Sequence, residues 1–387
     1  MINFLKVILC PYKIEARSQR EVSAVKEIIR NGIAVLELGE KEANRNEDGV
    51  DIYTYTGHFT GGVFNRLSSF LKWAIYIRKF KAKCISCYDI SALTIAWAST
   101  LFLSEKNKPK LVYDSHEFEL GRNSNRSKFD FFCVKMMEKF LIKKSVFSIM
   151  VNDTIADEIM RIYKLKERPL VVRSVQNYVD VDESIVNKHR DFFYQKYNIK
   201  PSDFIVMYHG VIMNGRGIET IIEAVKTLDG VKVIILGFGK QDYINTLNAM
   251  IEDAQLSTKV FFHEAVDQNE LWKYVGASDV GIVAINNVCL SYYYSLPNKF
   301  FQNIQAHTPI IGVSFPEIKK MIEKYDIGII CEPDSPDSLG AAIFKLKSNN
   351  HLYSLYKVNL KKAAKELCWE NEKLKLIEKY KTVFEDI

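Results

Sequence analysis

The sequence predicts an α/β protein with two doubly wound parallel-sheet domains. Short apolar, β-rich segments alternate with amphipathic helical patterns along nearly the whole 387-residue chain, and this alternation favours parallel sheets. This alternation is interrupted once, in the polar stretch 174–187, and then resumes. Because a chain of this length holds two domains of ordinary size, we interpret the interruption as the domain boundary.

We predict a first domain over 1–175, a second over 176–368 and a final charged helix over 369–387 that packs back towards the first domain. Two doubly wound domains place a cleft between the carboxyl ends of their strands, where such folds bind ligands. The predicted first-domain strands are 4–10, 33–38, 84–88, 110–113 and 147–151, and the predicted second-domain strands are 204–208, 232–236, 259–262, 280–283, 309–312 and 328–330.

Composition narrows the class of protein. Apolar residues make up 48% and charged residues 26%, which is typical of globular proteins. No run of about 18 apolar residues occurs, so we expect no transmembrane helix, and residues 1–13 predict a β-strand rather than a signal peptide. Seven cysteines, an odd number, fit a reduced cytoplasmic compartment. The mild net charge of +6 comes with no nucleic-acid motif, so we expect no nucleic-acid partner.

Two short motifs with metal or redox associations are interpreted as structural. Cys84 and Cys87 form a C-x-x-C inside a strand-like stretch, without a second ligand pair at zinc spacing. Asp180 and Asp182 form a D-x-D in the predicted linker. We therefore expect neither a metal nor a cofactor.

The second domain has a glycine-rich segment, H-G-V-I-M-N-G-R-G over 209–217, between a predicted strand and a helix. Gly210 and Gly215 let the backbone come close to a ligand, and a helix start favours an anion. Arg216 adds forked donors that suit phosphate. The alternative is an ordinary turn with a surface arginine.

A second block, S-L-P-N-K-F-F-Q over 295–302, predicts another anion site. Pro297 suits the first position of a helix, whose free N–H groups favour phosphate. Lys299 adds charge, and Asn298 and Gln302 are grouped with it as donor-binding residues, Gln302 being placed to hydrogen-bond sugar hydroxyls. The alternative is a capped helix with a solvated lysine.

In the first domain, V-Y-D-S-H-E over 112–117 ends a predicted strand. Asp114, His116 and Glu117 stand where such a fold binds ligands, which favours a site there. The alternative is a turn in which Asp114 caps the following segment.

In this order the blocks resemble the family-4 group of retaining GT-B glycosyltransferases over nearly the whole chain. The matching features are D-x-H-E, G-x(5)-R-G, L-G-x-G and L-P-N-K-x-F-x-x-I-x-A-x-x-P-I-I. The resemblance implies two Rossmann-like domains facing across a cleft. It also implies metal-independent transfer from a nucleotide-sugar, UDP-sugar favoured over GDP-sugar, to a saccharide or lipid-linked acceptor. The L-P-N-K block is typical of capsule, lipopolysaccharide and exopolysaccharide assembly.

The resemblance also implies roles for single residues. Arg216 takes the place of the lysine that contacts the donor diphosphate. Gln302 stands where the second glutamate of the family's E-x7-E motif grips the ribose. His116 matches the first-domain histidine near the transferred sugar, and Gly237 and Gly239 border the nucleotide pocket.

The chain departs from the family in three places. Tyr294 replaces the first glutamate of E-x7-E, which contacts the donor sugar, so the usual sugar preference is not inherited. A phosphate-binding arginine of the family falls near Val211, which leaves the diphosphate short of one charge unless Lys299 supplies it. In the N-terminal loop, Arg17 and Arg20 are expected to meet the acceptor or the donor phosphate.

Two first-domain stretches, 70–83 and 122–144, mix basic with aromatic residues. This mixture suits an anionic membrane surface and a lipid-linked acceptor. The alternative is a pair of ordinary amphipathic helices with solvated lysines. We expect a cytoplasmic protein, with peripheral contact at the inner face of the cell membrane as an extension of that expectation.

Three rival functions stay open at this point. A nucleotide-sugar epimerase shares the fold, but it is expected to carry several acidic and histidine groups for proton removal. A non-catalytic nucleotide-sugar-binding subunit is consistent with the lost glutamate. An adaptor protein would not need glycine and basic residues at successive strand ends.

Overall fold

The computed structural model describes residues 2–59, 63–122 and 127–385. Residues 123–126 of the basic, aromatic stretch 122–144, which include Arg126, lie outside the described residues. The chain divides into two compact units, of which unit 1 holds Met1–Arg173 and Glu372–Ile387 and unit 2 holds Ser174–Asn371. Each unit combines a mostly parallel sheet with helices, so the predicted α/β class is confirmed.

The sheet of unit 1 has eight strands among the described residues. They are β1 (Phe4–Val7), β2 (Ile33–Leu38), β3 (Ala43–Glu47), β4 (Val50–Tyr55), β5 (Cys84–Tyr88), β6 (Lys110–Ser115), β7 (Phe147–Met150) and β8 (Leu170–Val171). Their spatial order is β3-β4-β2-β1-β5-β6-β7-β8, and every pair is parallel except β3 and β4. Cys84 and Cys87 are buried thiols in β5.

The antiparallel hairpin β3–β4 was missed by the sequence prediction. Its turn is Asp48–Gly49, with φ of 49° and 81°, a dipeptide typical of tight hairpins because both residues need positive φ. Strand β3 is polar and mostly exposed, whereas β4 alternates buried and half-buried residues. Because β3 lacks the alternation of apolar and polar residues, the hairpin was not recognised as a strand pair. The Asp-Gly dipeptide was the feature of the sequence that could have predicted it.

The helices of unit 1 include three, α2 to α4, that come in order along the chain and pack side by side. Helix α3 contacts β5 and β6 and lies between α2 and α4. The C-terminal helix α15 packs within unit 1 from Glu372 onwards. Its buried Tyr380 ring lies 5.6 Å from Phe4 and 5.2 Å from Phe147. The helices are α1 (Ala16–Lys26), α2 (Val63–Lys79), α3 (Asp89–Ser99), α4 (Lys128–Ile142), α5 (Asp153–Tyr163) and α15 (Trp369–Glu385).

The sheet of unit 2 has six parallel strands among the described residues. They are β9 (Phe204–Ile212), β10 (Val231–Gly239), β11 (Val260–His263), β12 (Val280–Val283), β13 (Ile310–Val313) and β14 (Gly328–Cys331). The order β11-β10-β9-β12-β13-β14 places β9 beside β12, where the direction of winding reverses. This reversal is the topological switch point of the sheet.

The helices of unit 2 begin earlier than predicted. Part of the predicted linker 174–187 is helical, because α6 starts at Glu183 after Asp182, whose side chain accepts a hydrogen bond from the Ser184 N–H at 2.8 Å. Asp182 of the D-x-D thus serves as a helix cap. The helices are α6 (Glu183–Tyr197), α7 (Ile218–Ala224), α8 (Gln241–Asp253), α9 (Leu271–Gly276), α10 (Leu290–Tyr293), α11 (Asn298–Gln305), α12 (Pro316–Tyr325), α13 (Pro336–Ser348) and α14 (Asn350–Glu366).

Within residues 2–59, 63–122 and 127–385, none of the helices combines the length and the apolar composition that crossing a membrane requires.

Candidate functional site

The two predicted anion-binding blocks of unit 2 meet at the end of β9. The Lys299 Nζ lies 3.7 Å from the centroid of the Tyr208 ring, and His209 Nε2 lies 3.2 Å from Gln302 Oε1. Tyr208 and His209 belong to β9, while Lys299 and Gln302 belong to α11. The site therefore forms at the switch point, where this class of fold binds ligands.

Lys299 is a buried cation without a hydrogen-bond partner. The residue is only 8% exposed, and its Nζ has no partner among the described residues. Burial lowers the pKa of Lys299 well below its ordinary value, and the Arg216 guanidinium lowers it further. The Tyr208 ring face offsets part of this cost through a cation–π contact. An anion at the ammonium group would offset the remainder.

Arg216 is a second cation near this site, and it is half-buried. Its guanidinium carbon lies 4.9 Å from the centroid of the Tyr292 ring. In the part of the chain that the structure describes, no carboxylate forms an ion pair with Arg216 or Lys299. Two neighbouring cations repel each other, so a ligand with two or more negative charges fits this pair best.

His209 is buried and neutral. Burial lowers its pKa to about 3, with the charge of Lys299 as a further cause and the contact with Gln302 acting in the opposite direction. Its Nδ1 is buried and has no hydrogen-bond partner among the described residues. His209 thus holds the Gln302 carboxamide beside Lys299 without adding a charge of its own.

Helix α11 begins at Asn298, one residue later than predicted. Pro297 is extended and occupies the N-cap position, where its carbonyl accepts a hydrogen bond from the Phe300 N–H at 2.9 Å. No side chain caps this helix, and the Asn298 side chain is exposed. Free N–H groups in the first turn give the start of α11 a partial positive charge, which favours an anion there.

The glycines of the site divide into two groups. Gly210 is exposed with φ of 121°, and a Cβ there would come within 3.9 Å of the Lys299 Cε. At Gly237 and Gly239, a Cβ would lie 1.9 Å and 2.2 Å from carbonyl oxygens of β9. Their immediate role is the close pairing of β10 with the end of β9, and their place at the border of the nucleotide pocket stays a prediction.

The loop between β9 and α7 is held against the segment after β12. Gly215, with φ of 82°, accepts a hydrogen bond from the Asn286 N–H at 3.1 Å. Gly217 caps α7 with φ of 69°, and a Cβ there would lie 2.6 Å from the Ala284 Cβ. Arg216 is therefore displayed from a loop whose conformation needs glycine on both of its sides.

The sequence analysis missed two tyrosine rings that contact the cations of this site. Tyr208 and Tyr292 support the two cations, and the signal for them was an aromatic residue before His209 and the tyrosine run 292–294. Tyr294 is half-buried and is the C-cap residue that follows α10, with its ring centroid 5.4 Å from that of Tyr293.

In unit 1 the predicted residues do not form one open site. Asp114 is 1% exposed and pairs with Arg17 through contacts of 2.8 Å and 2.9 Å. Arg17 also donates to the Val172 carbonyl, and Lys6 lies 3.4 Å from Asp114. Burial would raise the pKa of Asp114, but the charges of Arg17 and Lys6 outweigh it and lower the value to about 2. Both groups are thus paired within unit 1, and the acceptor-side role of Asp114 and the acceptor or donor-phosphate role of Arg17 stay predictions.

His116 lies nearer to the surface at the same end of β6. Its ring stacks on Tyr88 with centroids 4.1 Å apart and planes inclined by 12°. Burial lowers the pKa of His116 to about 4, the charge of Asp114 raises it, and Arg17 lowers it further. The imidazole is therefore neutral at neutral pH. Tyr88, which the sequence analysis missed, is anchored by donating to Glu15 at 2.7 Å.

The remaining predicted acceptor residues lie in different surroundings. Glu117 pairs with Arg122 at 3.0 Å, and both side chains are exposed. Arg20 is a half-buried residue of α1. Asp89, which the sequence analysis missed, has φ of 73° at the start of α3 and accepts from the Ser91 N–H at 2.8 Å. Burial raises the pKa of Asp89 to about 6.

Among residues 2–59, 63–122 and 127–385, no cluster of three or more histidine, cysteine, aspartate or glutamate side chains is arranged to hold a metal ion.

Comparisons with known proteins identify the fold and the class of enzyme. Residues 189–367 match the family model for glycosyl transferases group 1. The chain is similar to an uncharacterized glycosyltransferase of Methanocaldococcus jannaschii, with 23% identity over 288 residues that cover 72% of this chain and 68% of the relative.

Solved structures resemble the whole chain. Sucrose-phosphate synthase from Thermosynechococcus elongatus superposes with a TM-score of 0.78 at 15% identity, covering 100% of both chains. HepE of Anabaena, crystallised in complex with UDP, superposes with a TM-score of 0.73 at 13% identity, again covering 100% of both chains. A further HepE structure holds UDP-glucose. Residues 189–367 are thus a glycosyl transferases group 1 domain, and the chain is a glycosyltransferase of the GT-B fold.

Proposed function

We propose that this glycosyltransferase uses a nucleoside-diphosphate sugar, a UDP-sugar in preference to a GDP-sugar, and binds its diphosphate with Lys299 and Arg216. The observation that carries the proposal is the buried Lys299 ammonium group, which lacks a hydrogen-bond partner and lies close to a second cation. A buried charge without compensation is costly, so such a group is retained where a ligand compensates it. The UDP complexes of HepE support the preference for uridine.

The same pair of cations supports the chemistry. When the glycosidic bond to the diphosphate breaks, negative charge grows on the departing oxygens, and Lys299 and Arg216 stabilise it where water is largely excluded. This role needs neither a metal nor a protein nucleophile. We propose retention of configuration, in which the acceptor attacks on the face that the diphosphate leaves. For His116, whose lowered pKa keeps the imidazole neutral, we propose the sugar-binding role that the family resemblance implies.

We further propose a saccharide or a lipid-linked saccharide as acceptor, in the synthesis of a bacterial surface polysaccharide at the inner face of the cell membrane. The L-P-N-K block and the basic, aromatic helices of unit 1 support this assignment. In unit 1 we propose that His116 and Glu117, at the carboxyl end of β6, contact the acceptor.

A second candidate is a donor-binding subunit without catalysis. The observation that favours it is Tyr294, which stands where the resembled family has a carboxylate for the donor sugar. Under this alternative the chain binds the nucleotide but releases no UDP from a UDP-sugar, with or without acceptors.

The test is calorimetry with UDP, GDP, ADP and CMP on wild-type protein and on Lys299→Met and Arg216→Ala. We expect UDP to bind most tightly and each substitution to weaken it by about one to two orders of magnitude, since each removes charge-assisted hydrogen bonds to the diphosphate. Lys345→Met, which changes an exposed lysine of α13, is the matched control and leaves the affinity unchanged. Equal affinity in Lys299→Met, or no binding of any nucleotide, would overturn the proposal.

A further inference from the structure

Exposed apolar side chains are concentrated on one part of unit 1. Among the described residues, 25 large apolar residues are exposed, and thirteen of them lie between Phe64 and Val146. This segment is less than a quarter of the chain, so chance exposure does not account for the clustering. Where such residues adjoin on the surface, they mark an interaction site.

Helix α2 displays its exposed apolar residues as a stripe. Phe64, Leu67, Leu71 and Ile75 follow the spacing i, i+3, i+7, i+11, which places them on one side of a helix. Each is between 52% and 88% exposed. The other side of the helix is buried through Trp73 and its neighbours, so the helix is packed and the stripe is its outer face.

Helix α4 repeats the pattern. Phe129, Phe132, Met136 and Phe140 have the same spacing and are between 45% and 74% exposed. The inner side of α4 is fixed by Glu138, which is fully buried and accepts hydrogen bonds from the hydroxyls of two tyrosines of unit 1. The helix therefore does not turn its aromatic stripe inwards without breaking that buried network.

The two stripes lie on either side of α3. Helix α3 contacts both neighbours, and its Trp97 ring lies 5.3 Å from the Phe140 ring. After α3, Phe102 has φ of 64° and is 97% exposed, and the adjacent Leu101 carbonyl accepts from Arg78 of α2 at 2.8 Å. We call the eight stripe residues of α2 and α4, together with Phe102, the α2–α4 face.

The charge around this face is predominantly positive. Helix α2 contains no acidic residue. Of the two acidic residues in α4, Glu138 is buried and Asp130 accepts from the Ser127 hydroxyl. The basic residues of these helices and of the turn that follows α4 are Arg66, Lys72, Arg78, Lys79, Lys128, Lys135, Lys139, Lys143 and Lys144.

We propose that the α2–α4 face docks on an anionic lipid bilayer, with its apolar stripes in the acyl boundary and its lysines and arginines at the headgroups. Amphipathic helices with aromatic residues on one face and basic residues on the flanks bind lipid surfaces in this way. Each basic residue near an anionic surface adds to this attraction. A second copy of the chain is a poorer occupant, because it brings like charges together.

The topology gives this docking a consequence for the acceptor. Helices α2 and α4 end only a few residues before β5 and β7, so their first turns lie towards the carboxyl edge of the parallel sheet. His116 and Glu117 lie at that same edge, after β6. A lipid-linked acceptor would thus reach them from the bilayer on which α2 and α4 rest, a consequence that relies on the proposed function, whereas lipid binding itself does not.

The test is co-sedimentation of the full chain with vesicles of phosphatidylcholine alone and of phosphatidylcholine with phosphatidylglycerol. The variant combines serine substitutions at Leu67, Leu71, Phe129 and Phe132. We expect wild type to bind only the anionic vesicles and the variant to lose at least about tenfold in partitioning, since four exposed apolar side chains no longer enter the lipid. Because these side chains are exposed, the thermal transition should change little.

The matched control places serine at Ile14, Phe344, Val358 and Leu374, which are similarly exposed elsewhere, and it should bind as wild type does. Absence of wild-type binding to anionic vesicles, or equal binding by variant and wild type, would overturn the proposal. A wild-type dimer that the variant converts to a monomer would assign the face to self-association instead. UDP calorimetry on the same samples separates the two proposals, because vesicle binding without nucleotide binding contradicts only the proposed function.

Discussion

Two buried lysines, Lys6 in unit 1 and Lys299 in unit 2, have opposite surroundings. Lys6 is fully buried and contacts Glu21, Asp114 and Ser86. Burial alone would lower the pKa of Lys6, but the two carboxylates raise it above its ordinary value. Lys299 is buried to a similar depth with an aromatic ring and a second cation, and its pKa is lowered.

The difference shows how a structural charge is told from a binding charge. The charge of the Lys6 ammonium group is compensated by Glu21 and Asp114 within the protein, so Lys6 does not need a ligand as its counter-ion. The ammonium of Lys299 is held in place by Tyr208 but not neutralised, so the fold bears a cost that only an anion relieves. Burial and residue type are the same in both cases, and only the partners differ.

Removal of each lysine should have opposite effects on stability. Lys6→Met leaves the buried Glu21 carboxylate without its cation and removes one of the two cations beside Asp114, so it is expected to lower the free energy of unfolding of unit 1 by about 3–5 kcal/mol. Lys299→Met removes a buried cation that lacks a partner and is expected to leave unit 2 unchanged or more stable. Urea unfolding at neutral pH, followed separately for each unit, measures both. A loss in Lys299→Met as large as in Lys6→Met would remove the distinction.

The lowered pKa of Lys299 predicts proton uptake when UDP binds. The bound diphosphate favours the charged ammonium, so its pKa rises and a proton is taken from solvent wherever free Lys299 is neutral. Affinity should fall with rising pH above the lowered pKa, approaching about tenfold per pH unit. His209, with a pKa of about 3, is neutral and does not contribute.

Calorimetry in two buffers of different ionisation enthalpy measures this uptake. Lys299→Met should abolish the buffer dependence, and Lys345→Met should preserve it. A binding enthalpy that is the same in both buffers across the pH range would show that Lys299 stays charged in the free protein.

The Asp114 cluster predicts an acid-sensitive unit 1. The folded pKa of Asp114 is lowered to about 2, so its contribution is present above the unfolded pKa of about 4 and is lost as pH falls through the folded value. The shift corresponds to about 2 kcal/mol. We expect Asp114→Asn to flatten the acid limb of the unit 1 stability curve, whereas Asp157→Asn, an exposed carboxylate of α5, should retain it. An unaltered acid limb in Asp114→Asn would contradict the assignment.

The smallest expected effect concerns the aromatic support under Arg216. Tyr292→Leu keeps the apolar volume but removes the cation–π contact, so we expect about 1 kcal/mol, or roughly fivefold, of lost UDP affinity. Tyr293→Leu, whose ring lies 5.1 Å from Phe315, is the neighbouring control and should bind UDP as wild type does. Equal losses in both variants would indicate a general disturbance of α10.

Most of the fold could be predicted from local patterns of apolar and polar residues. The parallel strands of both units were predicted except β4 and β8, because an apolar run that is buried on both faces is visible residue by residue. The β3–β4 hairpin and the start of α6 were not predicted, since an exposed polar strand and a capped polar helix start lack that contrast. The α/β fold and the class of enzyme are confirmed, while the roles of the individual site residues stay predictions.

The sequence by itself determined the two-sheet α/β architecture, the glycosyltransferase class, and the two blocks that supply Arg216 and Lys299. Only the tertiary structure decided which charged residues form ion pairs within the protein. Arg17 and Asp114 are far apart in sequence, and their pairing depends on how β6 and α1 pack. The same holds for Lys299, because its lack of a partner depends on every element around it. A sequence shows which charges a protein has, but three-dimensional contacts determine which of them remain for a ligand.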